Sequence, residues 1–131
     1  QPLLLAGTGT GLAPLWGIVH DALACGPWGT IALWHGARTE DGLYLVDELE
    51  ALAATHGQLS YRRCVLQGAA RSGTQLGSLD EVVLGSAASF DGRRVFLCGD
   101  AGFVGQLKRK VFLKGAALRE IHGDAFVGSA G

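Results

Sequence analysis

Short apolar runs alternate along this chain with longer stretches in which apolar residues recur every three or four positions. The apolar runs have the length and composition of buried strands, whereas the longer stretches have the spacing of amphipathic helices. The predicted strands occupy residues 3–6, 30–35, 58–66, 94–98 and 121–127, and the predicted helices residues 12–24, 43–55, 78 onwards and 103–114. Residues 67–77 carry glycine and serine and are predicted as a loop.

Strands and helices that alternate at this spacing predict an α/β fold, a doubly wound three-layer α/β/α sandwich with a mostly parallel sheet of about five strands. In such sheets, ligands bind outside the carboxyl ends of the strands, near the point where the strand order reverses. With 131 residues, the chain is predicted to be one domain over residues 1–131.

A glycine-rich turn follows the first predicted strand and precedes the first predicted helix. Its glycines allow a ligand to approach the backbone, and the helix directs unpaired N–H groups and the positive end of its dipole at the turn. Such a turn is suited to a diphosphate, although glycines also serve ordinary tight turns. The residues predicted to bind the nucleotide here are Gly7, Thr8, Gly9, Thr10, Gly11, Leu12 and Pro14.

Two common nucleotide-binding motifs are incomplete or absent. Gly9 and Gly11 begin a G-x-G-x-x-G pattern, but Pro14 stands where its last glycine belongs. The second predicted strand leads into Ala37 and Arg38, without the acidic residue that would hold a ribose. No G-x-x-x-x-G-K-[ST] loop is present. The usual dehydrogenase form and a lysine-containing phosphate loop are therefore disfavoured.

Composition narrows the class of protein further. Hydrophobic residues make up 48% and charged residues 18%, which is typical of a globular domain. A net charge of −1 gives no reason to expect nucleic acid as a partner, and no apolar run approaches the ~20 residues of a membrane span. Cys25, Cys64 and Cys98 lie far apart, which disfavours a disulfide framework or a metal site and makes the cytoplasm the expected compartment.

Several segments resemble the ferredoxin–NADP reductase superfamily. Residues 9–14, Gly-Thr-Gly-Leu-Ala-Pro, resemble its G-T-G-[IL]-A-P loop, and Phe96–Asp100 resembles its later [YV]-x-C-G-[PD] motif. His35–Thr39, Glu48-Leu49 and Asp124–Phe126 also resemble segments of that family, in the same order along the chain. The resemblance therefore covers nearly all of the sequence.

This resemblance implies the pyridine-nucleotide domain of a flavin-dependent reductase. Cys98 and Gly99 would flank the nicotinamide where hydride leaves for the flavin, with Cys98 as the candidate catalytic residue, although a small core residue is the alternative for Cys98. The second glycine turn adds Asp100, Gly102 and Phe103 to the candidate cofactor-binding residues. FAD or FMN would be bound mainly by another domain, and electrons would pass to an acceptor such as an iron–sulfur protein or a haem.

The preferred nucleotide is predicted to be NADH. Family members that use NADPH often carry Ser-Arg after the third strand, whereas Leu66, Gln67 and Gly68 stand here. Arg71 is close enough in sequence to replace the missing arginine, so NADPH stays the alternative. Gln67 and Arg38 are the candidates for the adenosine end, with a plain surface role the alternative for Arg38.

The chain contains no Met and begins at Gln1, next to a core strand, so it is predicted to be part of a longer protein whose flavin-binding domain precedes Gln1. On its own, it should bind nucleotide weakly and catalyse no turnover. Two other functions compete with this one. A regulatory nucleotide-binding module would have no redox role, and a stand-alone dehydrogenase would need a catalytic base that the sequence does not offer.

Overall fold

A parallel six-stranded sheet between two pairs of helices forms the fold, in a computed structural model that describes residues 2–8, 12–25, 29–68 and 73–126. The strands are β1 (Leu3–Thr8), β2 (Ile31–Ala37), β3 (Leu59–Val65), β4 (Thr74–Leu76), β5 (Arg94–Asp100) and β6 (Ile121–Phe126). The helices are α1 (Leu12–Cys25), α2 (Val46–Thr55), α3 (Leu79–Gly85) and α4 (Ala101–Leu113). The three-layer α/β/α prediction is confirmed.

The strand order is β4-β3-β2-β1-β5-β6, and every neighbouring pair is parallel. The sheet has one strand more than predicted, because β4 lies in the stretch 67–77 that was predicted as a loop. Only three residues long and largely exposed, β4 carries no apolar run that a pattern could reveal. Its backbone pairs with β3, from Arg63 opposite Thr74 to Val65 opposite Leu76.

The core has two layers, one on each face of the sheet. Leu5 and Leu33 point to the face covered by α1 and α2, together with Leu15 of α1 and Leu49 of α2. Leu4 and Leu97 point to the other face, where α3 and α4 contribute Val83 and Leu107. The central strand β1 is therefore enclosed on both faces, which explains its uninterrupted apolar sequence.

The strand order reverses between β1 and β5. From β1 the chain continues through α1 to β2 on one side, whereas from β5 it continues through α4 to β6 on the other side. Helices that leave in opposite directions open a crevice at the carboxyl ends of these two strands, Thr8 and Asp100. The second glycine turn, Gly99–Gly102, lies at this end of the sheet, as predicted, whereas Gly9–Gly11 of the first turn lie outside the described residues.

Helix α2 begins at Val46, three residues later than the start at Leu43 that the pattern predicted. A short 3₁₀ turn over Glu40–Gly42 precedes it, and Leu45 takes a left-handed backbone conformation with φ 58° and ψ 22°. Leu45 is the sole non-glycine residue with positive φ in the described ranges. A left-handed leucine costs about 1–2 kcal/mol, so its neighbours must hold it in place.

We expect Leu45→Gly to be more stable than Leu45→Ala by about 1 kcal/mol, because both variants lose the leucine side chain and only glycine adopts positive φ without strain. Urea unfolding followed by circular dichroism measures the difference. Ala54, exposed within α2, provides the control, since Ala54→Gly should lower the free energy of unfolding by about 1 kcal/mol. Equal stability of the two Leu45 variants would contradict the left-handed assignment.

Candidate functional site

The ends of β1 and β5 approach each other closely at the reversal of strand order. Gly7 pairs in register with Cys98 on one side and with His35 on the other. Gly99 has a φ of +152°, and a Cβ at this position would overlap the Thr8 hydroxyl oxygen. The two strand ends can therefore touch only because residue 99 is glycine. The sheet here offers backbone and small side chains to a flat ligand.

The second glycine turn is organised by the start of α4. The Asp100 carboxylate accepts a hydrogen bond from the Phe103 backbone N–H, with Oδ1 3.0 Å from the nitrogen, and so caps the helix. A Cβ at Gly102 would lie 3.2 Å from the same oxygen, so glycine leaves room for the cap. The Phe103 ring packs beneath Gly99. These three predicted cofactor-binding residues thus shape the turn, and their contact with a cofactor stays a prediction.

Cys98 lies at the rim with its side chain directed into the core. Only 3% of the residue is exposed, and it packs in the cluster that includes Leu12 and Leu15 of α1. Cys98 and Cys64 are both reduced thiols. Burial, and the charge of Asp80, raise the pKa of the Cys64 thiol to about 11, so this second cysteine stays protonated at neutral pH. Cys64 is therefore no candidate nucleophile.

The ends of β2 and β3 form a second part of the rim. The backbone N–H of Gln67 donates to the carbonyl oxygen of Arg38 at 3.0 Å, and the N–H of Leu66 donates to the same oxygen at 3.1 Å. All three side chains are exposed. The structure therefore brings Arg38 and Gln67 together, as two candidates for the same end of a ligand. Strand spacing places β3 about 14 Å from β5 along the rim.

Comparison with known proteins identifies the family. The family model described as "Oxidoreductase NAD-binding domain" matches residues 5–109. The chain belongs to the oxidoreductase NAD-binding domain family. The family model spans both glycine turns, the carboxyl end of β1 and all of β2 to β5, so the family assignment rests on the same elements that build the rim.

Relatives of this NAD-binding domain are reductase components. The ferredoxin–NAD(P)(+) reductase component of the naphthalene 1,2-dioxygenase system of Pseudomonas putida is 35% identical over 125 residues, which are 95% of this chain and 38% of that protein. The corresponding component of the naphthalene 1,2-dioxygenase/salicylate 5-hydroxylase systems of Ralstonia sp. is 36% identical over 125 residues, with the same coverage. The chain thus spans well under half the length of these relatives.

Solved structures agree in fold. The Amycolatopsis cytochrome P450 reductase has a TM-score of 0.88 and 28% identity, and the match covers 95% of this chain and 37% of that one. A ferredoxin–NADP+ reductase from Neisseria gonorrhoeae, determined with bound FAD and NADP, has a TM-score of 0.80, with 95% of this chain and 55% of that one covered; its 20% identity supports the fold alone.

The glycine turn between β1 and α1 is only partly described. Gly9, Thr10 and Gly11, which were predicted to bind the nucleotide, lie outside the described residues, as does Arg71. Leu12 is fully buried, so its side chain belongs to the core and only its backbone N–H faces the turn. Pro14 is the third residue of α1 and has no N–H to offer. The donors of this turn in the described part are therefore the N–H groups of Leu12 and Ala13.

The sequence analysis did not single out Tyr44, which lies beside the start of α1. The backbone N–H groups of Ala13 and Leu12 face its phenolic oxygen as hydrogen-bond donors. Burial raises the pKa of the Tyr44 hydroxyl, and these two N–H groups oppose the rise without cancelling it. An aromatic residue that follows a predicted polar loop carries no pattern that would single it out as part of the site.

Two charged or polar residues have structural roles. His35 is fully buried, with Nδ1 3.3 Å from the Tyr61 hydroxyl and its ring edge-on to the Tyr44 ring at 5.6 Å, so packing fits better than proton transfer. Arg63 forms an ion pair with Glu50 and donates to the Thr74 hydroxyl at 3.0 Å, which fastens the short β4 to the sheet.

No group of three His, Cys, Asp or Glu residues that could hold a metal occurs in the described ranges, nor any helix long and apolar enough to cross a membrane.

We expect Asp100→Ala to lower the free energy of unfolding by about 1 kcal/mol, because it removes the cap of α4. Asp100→Asn is the matched variant, since asparagine caps a helix about as well as aspartate. Thermal and urea unfolding of the three proteins at neutral pH measure the difference. If asparagine destabilised the domain as much as alanine, the negative charge and not the capping hydrogen bond would be the source of the stability.

Proposed function

We propose that this domain holds a pyridine nucleotide across the carboxyl ends of β1, β2, β3 and β5 and presents its nicotinamide to a flavin bound elsewhere in the same reductase. The observation that carries the proposal is the close approach of Thr8 to Gly99 where the strand order reverses. A planar ring can rest there against backbone and small side chains. The relatives, which are named as NAD(P)(+) reductase components, support the same conclusion.

Each part of the rim receives a role in this proposal. The glycine turn after β1 and the N-terminal end of α1 face the diphosphate, since the dipole of a helix N-terminus favours an anion. Arg38 and Gln67 hold the adenosine end on β2 and β3. Cys98 and Gly99 hold the nicotinamide, and the buried thiol keeps the approach to the ring unobstructed.

The residues fit the cofactors that the family uses. Bound NAD(P)H would supply the hydride, and FAD or FMN would accept it, so this chain's task is to bind, orient and keep the reacting faces accessible. We propose NADH as the preferred nucleotide, because Gln67 stands where a 2′-phosphate would favour a cation. We further propose that the flavin-binding part precedes Gln1, that electrons pass to an acceptor such as an iron–sulfur protein or a haem, and that the reductase works in the cytoplasm.

Titration of the isotope-labelled chain with NADH, NADPH and ADP-ribose tests the nucleotide site. We expect chemical-shift changes at Thr8–Leu12 and Cys98–Gly102, with NADH binding more tightly than NADPH, because Gln67 is uncharged at the position where a 2′-phosphate would favour a cation. Tighter binding of NADPH would overturn only the nucleotide preference. Absence of binding to the chain and to the intact reductase, or shifts confined to other faces, would overturn the site.

Cys98→Ala separates a redox role from the rival regulatory role. In the intact reductase, we expect this variant to slow flavin reduction by about tenfold, because small errors in the placement of a reacting ring are costly. Anaerobic stopped-flow absorbance of the flavin measures the rate. Cys64→Ala is the control, since it removes a buried thiol from the opposite face of the sheet. Equal rates in both variants would favour a nucleotide-binding module without a redox role.

A further inference from the structure

Strands β5 and β6 are covered by a helix on one face of the sheet and are open on the other. Helix α4 packs against both strands, and a Cβ at Gly123 would meet the Val104 side chain of α4. Side chains alternate along a strand, so His122 points to the opposite face, as does Phe96 of β5. Helix α1 lies on that face but packs over β1 and β5. No helix of the described ranges therefore packs closely on β6 there, and we call this surface the β5–β6 face.

A stacked pair of rings lies on the β5–β6 face. Phe96 and His122 stand opposite each other in register, with ring centroids 4.8 Å apart and an interplanar angle of 20°. His122 is exposed and Phe96 is half-buried, although Leu97, the next residue of β5, is fully buried. Two residues before Phe96, Arg94 pairs with Glu120, with Nε 3.3 Å from Oε2. An aromatic centre beside polar, charged groups is the composition of a protein interface.

The β5–β6 face continues into the proposed nicotinamide position. Phe96 and Cys98 lie two residues apart on β5 and contribute to the same core layer, which places them about 7 Å apart along the strand. The other approaches to the end of β5 are occupied. On the opposite face, α4 begins at Ala101, directly after the strand, and beside β1 the N-terminal end of α1 is the proposed position of the diphosphate. A flavin that reaches the nicotinamide is therefore best brought in along the β5–β6 face.

The first described residue of the chain lies next to the same strand. The Arg94 backbone N–H donates to the Pro2 carbonyl oxygen at 3.0 Å, so residue 2 lies beside the start of β5. A flavin-binding part that precedes Gln1, as proposed above, is thereby connected to this domain close to the β5–β6 face. The two relatives, of which this chain spans 38%, are long enough to contain such a part.

We propose that the flavin-binding part of the reductase packs on the β5–β6 face, with the stacked rings of Phe96 and His122 at the centre of the contact. This inference rests on the proposed function and adds to it the surface on which the flavin is brought to the nicotinamide. Hydride transfer requires reacting atoms about 3–3.5 Å apart, so a partner that presents a ring beside Cys98 has to be fixed against this domain. Burial of the two rings stabilises that contact.

Chemical labelling of histidines tests this surface in the wild-type protein. Diethyl pyrocarbonate modifies accessible imidazoles, and His122 is exposed in the 131-residue chain. His56, half-buried at the end of α2, is the internal control, because α2 packs against β3. We expect His122 to be labelled about tenfold more slowly in the intact reductase than in this chain, since an interface excludes the reagent, and His56 to change by less than about twofold. Mass spectrometry after digestion measures both rates.

His122→Asp, with Ser60→Asp as the matched control, tests the contact by function. Both residues are exposed on strands, and Ser60 lies on β3, three strands from β5. In the intact reductase, we expect His122→Asp to slow flavin reduction by NADH about tenfold, because an unpaired carboxylate is costly to bury and a displaced ring accepts hydride slowly. The affinity of the 131-residue chain for ADP-ribose should change by less than about twofold. Ser60→Asp should match wild type in stopped-flow absorbance and in calorimetry.

The outcomes separate this inference from the proposed function. Equal labelling of His122 in the chain and in the intact reductase would overturn the docking surface, whereas a nucleotide site found by titration would stand. Equal rates of flavin reduction in His122→Asp and Ser60→Asp would overturn it as well. Protection of His56 in place of His122 would put the flavin-binding part on another face of the domain. Failure of both the chain and the intact reductase to bind nucleotide would remove the proposed function and, with it, this partner.

Discussion

Burial of β1 on both faces is the constraint on which the rest of the structure depends. Leu3, Leu4, Leu5 and Ala6 are each at most 2% exposed. Successive side chains of a strand point to opposite faces, so this strand can be buried only if helices cover the sheet on both sides. Parallel neighbours on either edge of β1 then require crossover helices that leave in opposite directions. The crevice at the carboxyl ends of β1 and β5 follows from that arrangement, and no additional structural element is needed to form it.

Small residues shape the rim of the sheet as much as polar residues do. Gly99 lets the strand ends touch, and Gly102 makes room for the carboxylate that caps α4. The charged groups near the sheet are mostly occupied in holding the fold. Arg63 fastens β4, and Lys110 pairs with Asp80 at 3.0 Å. A site of this kind binds through backbone and shape, and it leaves the electron-transfer chemistry to the cofactors.

Two lysines at the C-terminal end of α4 contact the neighbouring helix α3. Lys114 donates to the carbonyl oxygens of Leu84 and Ala87 at 2.6 and 2.9 Å, and so closes the end of α3. Lys110 is held by Asp80, whose own pKa is raised by burial but is brought below its usual value by hydrogen bonds from Lys110 and Ser78 and by the lysine charge. Lys110 and Lys114 therefore connect the end of α4 to α3.

The sequence by itself determined the class of fold, the order of the long strands and helices, and the place of the second glycine turn. It could do so because these depend on local patterns, such as apolar runs, helical spacing and glycine at strand ends. Residues 9–14 and 96–100 also carried enough of a family motif to indicate a reductase, and the family is confirmed.

Only the tertiary structure decided what depends on contacts between distant residues. The three-residue β4 forms because its backbone pairs with β3 and because Arg63 donates a hydrogen bond to Thr74. Neither contact can be recognised from the sequence of β4. Tyr44 reaches the start of α1, about thirty residues earlier in the chain, only when β1 and β2 pair. Asp100 could be recognised as a helix cap only once α4 was seen to begin at Ala101. Local pattern thus set the elements, whereas burial and pairing between them placed the side chains of the site.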